Sequence, residues 1–349
     1  MTTHSDAQRV TITGGAGFIG SNLAHHLLAQ GHQLTIFDNL SRSGGEQNLD
    51  WLRSDYGADS FRLVKGELVD FDAVCRACEG AQRIYHLAGQ VAVTTSVTNP
   101  RQDFESNALG TFNVLEAARL VGDAPVFLYT STNKVYGGME EIKVVEGETR
   151  YCYADFPYGI PETQLLDFHS PYGCSKGAGD QYVRDYHRIY GLRTVVARQS
   201  CIYGYRQFGI EDQGWVAWFM IAALKGRPIR IYGNGKQVRD VLFIDDLLDA
   251  YDALVNGIDV SAGQIYNIGG GPDNTMSIWT EFGPRLEGLL GRPIPVTHGD
   301  WRPGDQPVYI SDIRKAQRDL GWRPRVSVEE GTRRLFEWID ANQNLFAHL

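Results

Sequence analysis

A tyrosine and a lysine stand four residues apart in the segment Tyr172-Gly-Cys-Ser-Lys176. If this segment is helical, that spacing brings both side chains onto one face of the helix. A free tyrosine has a pKa of about 10 and is a poor base at neutral pH, but a neighbouring ammonium group favours the phenolate and lowers that pKa. The pair could therefore take a proton from a hydroxyl group and return it. The same spacing is common in proteins, where it usually marks surface or packing residues.

Hydroxyl side chains follow the apolar run Val126–Tyr129, which we predict to be a strand, in the segment Tyr129-Thr-Ser131-Thr132. In a parallel sheet, ligands bind at the carboxyl ends of the strands. A hydroxyl at this point could therefore orient a substrate hydroxyl. The alternative is that Ser131 and Thr132 cap a turn or a helix.

A glycine-rich turn follows the predicted strand Val10–Thr13 and reads Gly14-Gly-Ala-Gly17-Phe-Ile-Gly20. Gly14 would permit the tight turn, Gly17 would let the backbone approach a pyrophosphate, and Gly20 would let the next helix sit close to the sheet. The N-terminus of that helix would then face the phosphates of a dinucleotide. Asp38, about twenty residues on, would bind the ribose hydroxyls and repel a 2′-phosphate, which favours NAD over NADP. The alternative is a structural glycine turn with Asp38 as a helix cap.

Short apolar runs alternate with helical segments from the start of the chain to about Arg198, which predicts βαβ units and a parallel sheet covered on both faces. The fold class is therefore α/β, a doubly wound Rossmann-type sheet with a smaller C-terminal substrate lobe. We expect the lobe to lie over the carboxyl edge of the sheet, and residues 139–169 to form a loop or lid. The predicted boundaries are 1–200 for the NAD-binding domain, with 236–268 returning to it, and 201–235 with 269–349 for the lobe. The predicted strands are Val10–Thr13, Leu34–Phe37, Phe61–Lys65, Ile84–Leu87, Val126–Tyr129 and Thr194–Ala197, and the predicted helices are Gly20–Gln30, Asp72–Cys78, Asn107–Arg119, Gln181–Tyr190, Trp215–Leu224, Ile278–Leu290 and Val328–Asn342.

Composition and charge narrow the possible partners. The net charge of −9 argues against general binding to nucleic acid or to anionic membranes, although a few arginines can still bind a small phosphate ligand. We expect no signal peptide and no membrane span, because no apolar stretch is long enough. Five scattered cysteines indicate reduced thiols in a cytoplasmic protein. Cys75 and Cys78 form a CxxC that we expect to pack inside a helix, and no metal site is predicted.

Together these features resemble the extended short-chain dehydrogenase/reductases that modify nucleotide sugars. The resemblance covers nearly the whole chain and includes TGGAGFIGS at Thr13–Ser21, HLAGQ at His86–Gln90, STNKVYG at Ser131–Gly137, SPYGCSK at Ser170–Lys176 and RDVLFIDDL at Arg239–Leu247. It implies a catalytic set of Thr132, Tyr172 and Lys176. It also implies NAD bound by Gly14, Gly17, Phe18, Ile19, Gly20, Asp38, Asn39, Glu67, Leu68, Leu87, Ala88, Gln90, Asn107, Thr130, Tyr172 and Lys176.

The same resemblance implies a nucleotide-diphosphate sugar as substrate. Arg239 and Arg302 would grip the diphosphate, since a guanidinium fork matches phosphate oxygens. Either arginine could instead form an ordinary ion pair with a nearby aspartate. Further substrate contacts are expected from Thr132, Asn133, Cys201 and Gln207, and Phe208 with Trp215–Phe219 are candidates for enclosing the base. The family further implies a homodimer or homotetramer, with Asn107–Arg119 among the helices at the interface.

Finer motifs resemble the subgroup of CDP-paratose 2-epimerases, among them the unusual Thr132-Asn133-Lys134. Nucleotide-sugar 4,6-dehydratases carry Thr-Asp-Glu there, and their carboxylates perform the elimination, so a dehydratase is disfavoured. The epimerases that use a cysteine near this position are disfavoured by Asn133. The resemblance implies inversion at carbon 2 of a CDP-linked hexose by transient oxidation. The alternatives are carbon-4 epimerisation, a dehydrogenase that releases NADH, and a non-catalytic NAD sensor.

Overall fold

A computed structural model describes residues 7–121, 124–302 and 305–347. Its largest sheet has seven strands in the order β12-β8-β5-β4-β1-β2-β3. The pairs β1 with β2, β2 with β3, β1 with β4 and β4 with β5 are all parallel. The strands of this sheet are β1 (Arg9–Thr13), β2 (Gln33–Asp38), β3 (Phe61–Lys65), β4 (Arg83–His86), β5 (Val126–Thr132), β8 (Arg193–Gln199) and β12 (Ile265–Ile268).

Helices connect these parallel strands, as a doubly wound sheet requires. The sheet confirms the predicted α/β fold class. The helices before the last strand of this sheet are α1 (Phe18–Ala29), α2 (Gly45–Tyr56), α3 (Phe71–Cys78), α4 (Val93–Thr98), α5 (Pro100–Phe104), α6 (Gly110–Leu120), α7 (Ser170–Tyr190), α8 (Trp215–Leu224), α9 (Ile244–Asn256) and α10 (Ile258–Ser261).

Several elements depart from the sequence-based expectation. The helix predicted at Ile278–Leu290 begins at Phe282, and helix α9 and strand β12 carried no prediction. The predicted helix Asn107–Arg119 is preceded by a π-helical segment, Glu105–Leu109, before α6 begins. Helix α7 begins at Ser170, eleven residues before the predicted start. Helix α2 carries no prediction at all. Its sequence is rich in polar and charged residues, which hides the apolar stripe that Leu49 and Leu52 bury.

The chain forms two compact units. The first comprises residues 1–131, 175–197 and 251–265, and the second comprises 132–174, 198–250 and 266–349. These limits differ from the predicted domain boundaries, because residues 132–174, 198–200, 236–250 and 266–268 group with the second unit.

The core of the first unit is formed by apolar residues from the sheet and from helices α3, α6 and α7. Phe127 and Tyr129 of β5 are fully buried, as are Val114 and Leu115 of α6 and Val183 of α7. Val and Phe residues on both faces of a parallel strand are expected where helices cover both faces. This core fixes the ends of the strands, where the candidate site residues lie.

The second unit contains smaller sheets. Strand β11 (Val238–Phe243) pairs in parallel with β9 (Cys201–Tyr203) and β15 (Val308–Tyr309), and antiparallel with β13 (Thr275–Ser277). A parallel pair, β10 (Ile229–Tyr232) and β14 (Val296–Gly299), and an antiparallel pair, β6 (Val144–Glu146) and β7 (Tyr151–Tyr153), complete its strands. The pair β6–β7 lies in the segment expected to be a loop or lid, so that segment is partly regular. The remaining helices are α11 (Phe282–Leu290), α12 (Arg314–Leu320) and α13 (Val328–Ala341).

Across the described ranges, no helix combines the length and the apolar character needed to cross a bilayer. The five cysteines are all free thiols. Cys78 is buried inside α3, as expected for a packing residue, and burial raises the pKa of its thiol to about 12.

Candidate functional site

The glycine turn between β1 and α1 is shaped by close backbone contacts. Gly14 has φ +73°, and a β-carbon on it would lie 2.7 Å from the amide nitrogen of Ala88. A β-carbon on Gly20 would overlap the carbonyl oxygen of Gly14, so α1 can pack this closely only with glycine there. By contrast, a β-carbon on Gly17 would meet protein only at 3.3 Å, from Gly14. The turn fits the three roles assigned to its glycines.

Helix α1 presents its N-terminus at this turn. Its N-cap is Gly17, and no side chain caps it. Phe18 and Ile19 begin its first turn. A twelve-residue helix that starts from a glycine loop offers backbone N–H groups and the positive end of its dipole. The first unit therefore contains a cradle whose chemistry suits the pyrophosphate of a dinucleotide.

Asp38 lies at the end of β2, beside the glycine turn. Its two carboxylate oxygens accept hydrogen bonds from the backbone N–H groups of Ala16, at 3.0 Å, and Leu40, at 2.8 Å. Burial raises the pKa of Asp38, while these N–H groups and Arg42 oppose that rise. Next to it, the Asn39 amide donates to both oxygens of Glu67 at 3.1 Å. The structure thus places Asp38, Asn39 and Glu67 at the carboxyl ends of β2 and β3.

The other residues implied for NAD also follow the ends of parallel strands in the first unit. Leu87 and Ala88 follow β4, where their N–H groups donate to the backbone and the hydroxyl of Thr13. The Thr130 hydroxyl donates to the carbonyl of His86 at 3.1 Å. Leu68 follows β3 and is buried against α6. Carboxyl ends of parallel strands meet at one edge of a sheet, so these residues share an edge with the glycine turn.

Asn107 lies in the π-helical segment Glu105–Leu109 and contacts the loop at this edge of the sheet. Its side chain exchanges two 3.0 Å hydrogen bonds with the backbone N–H and carbonyl of Gln90. A β-carbon on Gly89 would lie 2.5 Å from the Asn107 amide oxygen, so glycine is required there. π-Helical turns are frequent at functional sites. Here the turn directs a buried amide at the loop after β4.

Lys176 is buried in the first unit, 5% exposed. Its ammonium nitrogen donates to the carbonyl oxygen of Thr130 at 2.6 Å and lies 4.4 Å from the centre of the Tyr129 ring. Burial lowers the pKa of Lys176 to about 7, and Asp180 and Asp103 oppose that shift. A buried lysine whose pKa is lowered by desolvation and opposed by specific carboxylates is a candidate for a functional site.

Ser131 and Thr132 have different partners. The Ser131 hydroxyl donates to Asp180 at 2.7 Å inside the first unit. Thr132 ends β5 and caps the 3₁₀ helix Asn133–Tyr136, since its hydroxyl oxygen accepts the N–H of Lys134 at 3.2 Å. The same hydroxyl donates to the Asn133 amide oxygen at 3.3 Å, so it keeps one free lone pair and would have to exchange this weak hydrogen bond for one to a substrate. Its capping role and its implied role in orienting substrate are therefore compatible.

Tyr172 and Lys176 lie one turn apart on α7, so the condition for a shared helical face is met. Tyr172 belongs to the second unit and is 8% exposed. In that unit a β-carbon on Gly173 would lie 3.3 Å from the carbonyl of Lys134, so the start of α7 lies against the 3₁₀ helix. Tyr172 is therefore held close to the segment that begins with Thr132.

A charged cluster in the second unit surrounds Lys134. Its ammonium nitrogen donates to the Gln306 side chain at 3.3 Å. Burial lowers the pKa of Lys134 to about 8, Arg239 lowers it further, and Asp305 opposes the shift. Arg239, 6% exposed, forms a 2.5 Å ion pair with Asp305 and donates to the carbonyl of Gln306 at 2.8 Å. This cluster would attract an anionic group.

The remaining substrate candidates also lie in the second unit. Arg302 forms a 3.0 Å ion pair with Asp212 and lies 3.9 Å from the centre of the Tyr232 ring. The Gln207 amide donates to the backbone at 3.3 Å, and Asn133 is buried, 8% exposed. The pKa of the Cys201 thiol is raised by burial, and Arg239 and Lys134 act on it electrostatically. Both arginines thus have the aspartate partners considered as the alternative to phosphate binding.

Four buried polar residues near these groups carried no predicted role: His86, Asp103, Ser175 and Asp180. His86 bridges the hydroxyls of Thr13, at 2.7 Å, and Thr111, at 3.0 Å, and burial lowers its pKa to about 3, so it is neutral. The spacing of Asp180, four residues after Lys176, could have predicted from the sequence that the two lie on one helical face. Asp103 had none.

Comparison with known proteins agrees with this architecture. The sequence profile described as GDP-mannose 4,6-dehydratase matches residues 11–335. The CDP-paratose 2-epimerase of Salmonella typhi is 45% identical over 340 residues, which are 95% of this chain and 99% of the Salmonella protein.

Two solved structures share the fold. The UDP-glucose 4-epimerase of Thermotoga maritima, solved with UDP-glucose, has a TM-score of 0.82 at 29% identity and covers 96% of this chain and 99% of its own. The UDP-glucose 4-epimerase of Thermus thermophilus, solved with NAD, has a TM-score of 0.80 at 31% identity and covers 96% and 99%.

Proposed function

This chain belongs to the GDP-mannose 4,6-dehydratase family, whose profile matches residues 11–335, and we propose that it is an NAD-dependent nucleotide-sugar epimerase. Its substrate is a CDP-linked hexose such as CDP-paratose, and it inverts carbon 2. The 45% identity to the Salmonella typhi CDP-paratose 2-epimerase supports the substrate.

One observation carries the choice of epimerisation over dehydration. The start of α7, which bears Tyr172, lies against a segment in which Thr132 is followed by Asn133 and Lys134. A proton-transfer tyrosine is present there, but an amide and an amine occupy the two positions where an elimination needs carboxylates. The site can move a hydroxyl proton, whereas it lacks the acid–base pair for loss of water.

NAD is the proposed cofactor, held by the glycine turn, the N-terminus of α1 and Asp38. When bound, it supplies an acceptor and donor of hydride. Tyr172 takes the proton of the sugar hydroxyl and later returns it, while Thr132 orients that hydroxyl. Lys176 stabilises the Tyr172 phenolate and holds the nicotinamide ribose. Net inversion requires the oxidised sugar to rotate in the pocket between the two proton transfers. The complete reaction causes no net redox change.

Carbon-4 epimerisation is the second candidate, supported by the likeness to two UDP-glucose 4-epimerases. The same three residues would serve it with a different pose of the sugar. A panel of CDP-, UDP- and GDP-sugars, with product stereochemistry read by NMR, separates the two. The proposal expects inversion at carbon 2 of a CDP-sugar, and inversion only at carbon 4 would replace it.

The same assay tests the remaining alternatives. Continuous release of NADH would indicate a dehydrogenase. Stoichiometric NAD binding with no turnover of any sugar, and no effect of Tyr172→Phe, would indicate a non-catalytic NAD sensor. The proposal expects bound NAD to remain oxidised on average and Tyr172→Phe to abolish turnover.

We also propose that the protein is a cytoplasmic homodimer that associates through α6 and α7, with a homotetramer as the alternative. Phe112 of α6 and Tyr182 of α7 meet edge to face yet are 37% and 50% exposed, and Leu120 and Ile189 on the same two helices are also exposed. Free cysteines suit the reducing cytoplasm. Light scattering during gel filtration tests this, and Phe112→Glu with Ile189→Glu should give a monomer.

A further inference from the structure

The buried Lys176 side chain needs compensation for its charge. An ammonium group loses several kcal/mol of hydration on burial, about what a partly compensated ion costs in proteins. The Thr130 carbonyl at 2.6 Å and the face of the Tyr129 ring at 4.4 Å contact it, but both carry only partial charges. Carboxylates in its surroundings can supply the full negative charge that helps to keep the amine protonated.

Asp103 is the first such carboxylate. It lies on α5 and is 1% exposed. One oxygen accepts the Ser175 hydroxyl at 2.5 Å, and the other accepts the Asn107 amide at 3.1 Å. Ser175 directly precedes Lys176, and Asn107 holds the loop after β4. Asp103 therefore connects the lysine-bearing turn of α7 with the edge of the sheet where the cofactor residues lie.

Asp180 is the second. It is fully buried and follows Lys176 by one turn of α7, so Tyr172, Lys176 and Asp180 form a row along one helical face. Its oxygens accept the Ser131 hydroxyl at 2.7 Å and the Gln181 amide at 2.8 Å. Ser131 follows Thr130, whose carbonyl binds the Lys176 ammonium. Asp103 thus binds Ser175, which directly precedes Lys176. Asp180 binds Ser131, which directly follows Thr130, the hydrogen-bond acceptor of Lys176.

We propose that Asp103 and Asp180 are positioning residues that compensate the buried charge of Lys176 and fix its side chain for catalysis. The assignment of Lys176 to catalysis rests on the proposed function. The compensation of its charge does not.

The electrostatics of the surrounding elements agree with this role. The titratable groups of the first unit that act on Lys176 are Asp103 of α5, Asp180 of α7, Tyr129 of β5 and His86 of β4. His86 is neutral, because burial lowers its pKa to about 3. Asp103 and Asp180 each raise the pKa of Lys176 against the stronger effect of burial. Removing either negative charge should therefore make the amine lose its proton at lower pH.

Titration of the lysine itself tests the proposal without substrate or turnover. Protein with ¹³C at the lysine ε-carbons is titrated by NMR, and the Lys176 signal is identified by its loss in Lys176→Arg. Asp103→Asn and Asp180→Asn keep the size and an acceptor oxygen while removing the charge. Each should lower the Lys176 midpoint by about one pH unit, the scale on which a nearby opposite charge acts.

Glu105→Gln is the matched control. Glu105 lies two residues after Asp103, but it is partly exposed and pairs with Arg101 at 3.0 Å. The Glu105→Gln substitution should leave the pH midpoint of the Lys176 titration unchanged, since solvent screens the charge of Glu105. Ser175→Ala removes a hydrogen bond to Asp103 without changing any charge, and should shift the midpoint less than Asp103→Asn.

An unchanged Lys176 midpoint in a folded Asp103→Asn or Asp180→Asn protein would overturn the role of that carboxylate. If one variant does not fold by circular dichroism, the other decides the question for the pair. In the active enzyme, both variants should also shift the alkaline limb of the kcat profile to lower pH. Failure of the epimerase assay would refute the proposed function while leaving the NMR result valid.

Discussion

Gly20 approaches Gly14 so closely that a β-carbon on Gly20 would overlap the Gly14 carbonyl oxygen. This contact joins the first turn of α1 to the turn that leaves β1, and so fixes where the helix N-terminus points. Because anion binding by a helix N-terminus depends on the direction of its N–H groups, the contact would determine the shape of the proposed dinucleotide cradle.

Gly20→Ala should therefore push α1 away from the turn. We expect a loss of about 2 kcal/mol of stability, as for overpacking in a core, and a fall in NAD affinity of about tenfold or more, which corresponds to about 1.4 kcal/mol. Calorimetric titration with NAD and thermal unfolding measure the two effects. Gly288→Ala is the control, because a β-carbon on Gly288 of α11 meets nothing within 4 Å. Unchanged NAD binding in Gly20→Ala would contradict the proposed cradle.

Tyr172→Phe should lower kcat by about 10²- to 10⁴-fold, the usual contribution of a positioned acid–base group. NAD content should stay near that of the wild type, because the ring and the glycine turn remain. Tyr182→Phe is the matched control on the same helix, since Tyr182 is half exposed. The measurement is epimer interconversion by NMR, and full activity in Tyr172→Phe would exclude this tyrosine as the base.

The pH dependence of stability should report on Lys134. The pKa of this amine is lowered to about 8 in the folded chain, against about 10.4 for a free lysine. Between these two values the unfolded chain binds more protons, so stability rises with pH in that window. Lys134→Met removes the group, and its free energy of unfolding should therefore rise less between pH 8 and about pH 10 than that of the wild type. Urea unfolding at several pH values measures the difference, and parallel curves would show that Lys134 titrates normally.

Arg239→Met should weaken binding of CDP about 10- to 100-fold, the expected effect of losing a charge-assisted contact to phosphate. Arg325→Met is a suitable control, because Arg325 is an exposed arginine whose partner, Asp249, lies 3.7 Å away. Titration calorimetry with CDP gives both affinities. Asp305→Asn complements the test: if Asp305 competes with the diphosphate for Arg239, CDP should bind more tightly to this variant.

Six of the seven strands of the parallel sheet could be predicted from the sequence because their signals are local, whereas β12 was not predicted. Each strand is a short apolar run, and each is followed by a helix or a turn with recognisable residues. The strand Phe61–Lys65 and the helix Trp215–Leu224 have the predicted limits. The glycine turn was also readable, because the spacing of its three glycines is a local pattern. The contact with Ala88 that excludes a β-carbon at Gly14 is not local, and only the structure shows it.

The start of α7 shows where local signals mislead. Gly173, Gly177 and Gly179 lie in its first three turns, and glycine disfavours helix, so the helix was predicted only from Gln181. The structure gives two of these glycines a packing reason. A β-carbon on Gly179 would lie 2.5 Å from the Tyr129 hydroxyl, and one on Gly173 would press on the Lys134 carbonyl. Tertiary packing thus outweighs propensity at the turn that carries Tyr172.

The sequence by itself determined the α/β fold, the family and the spacing of Tyr172 and Lys176, because these depend on residues that are neighbours in the chain. Only the tertiary structure decided that Lys176 is buried and that Asp103, distant from it in sequence, shares its surroundings through Ser175. The state of a buried charge depends on which groups replace its water, and those groups come from α5, β4, β5 and α7. No local pattern specifies that combination.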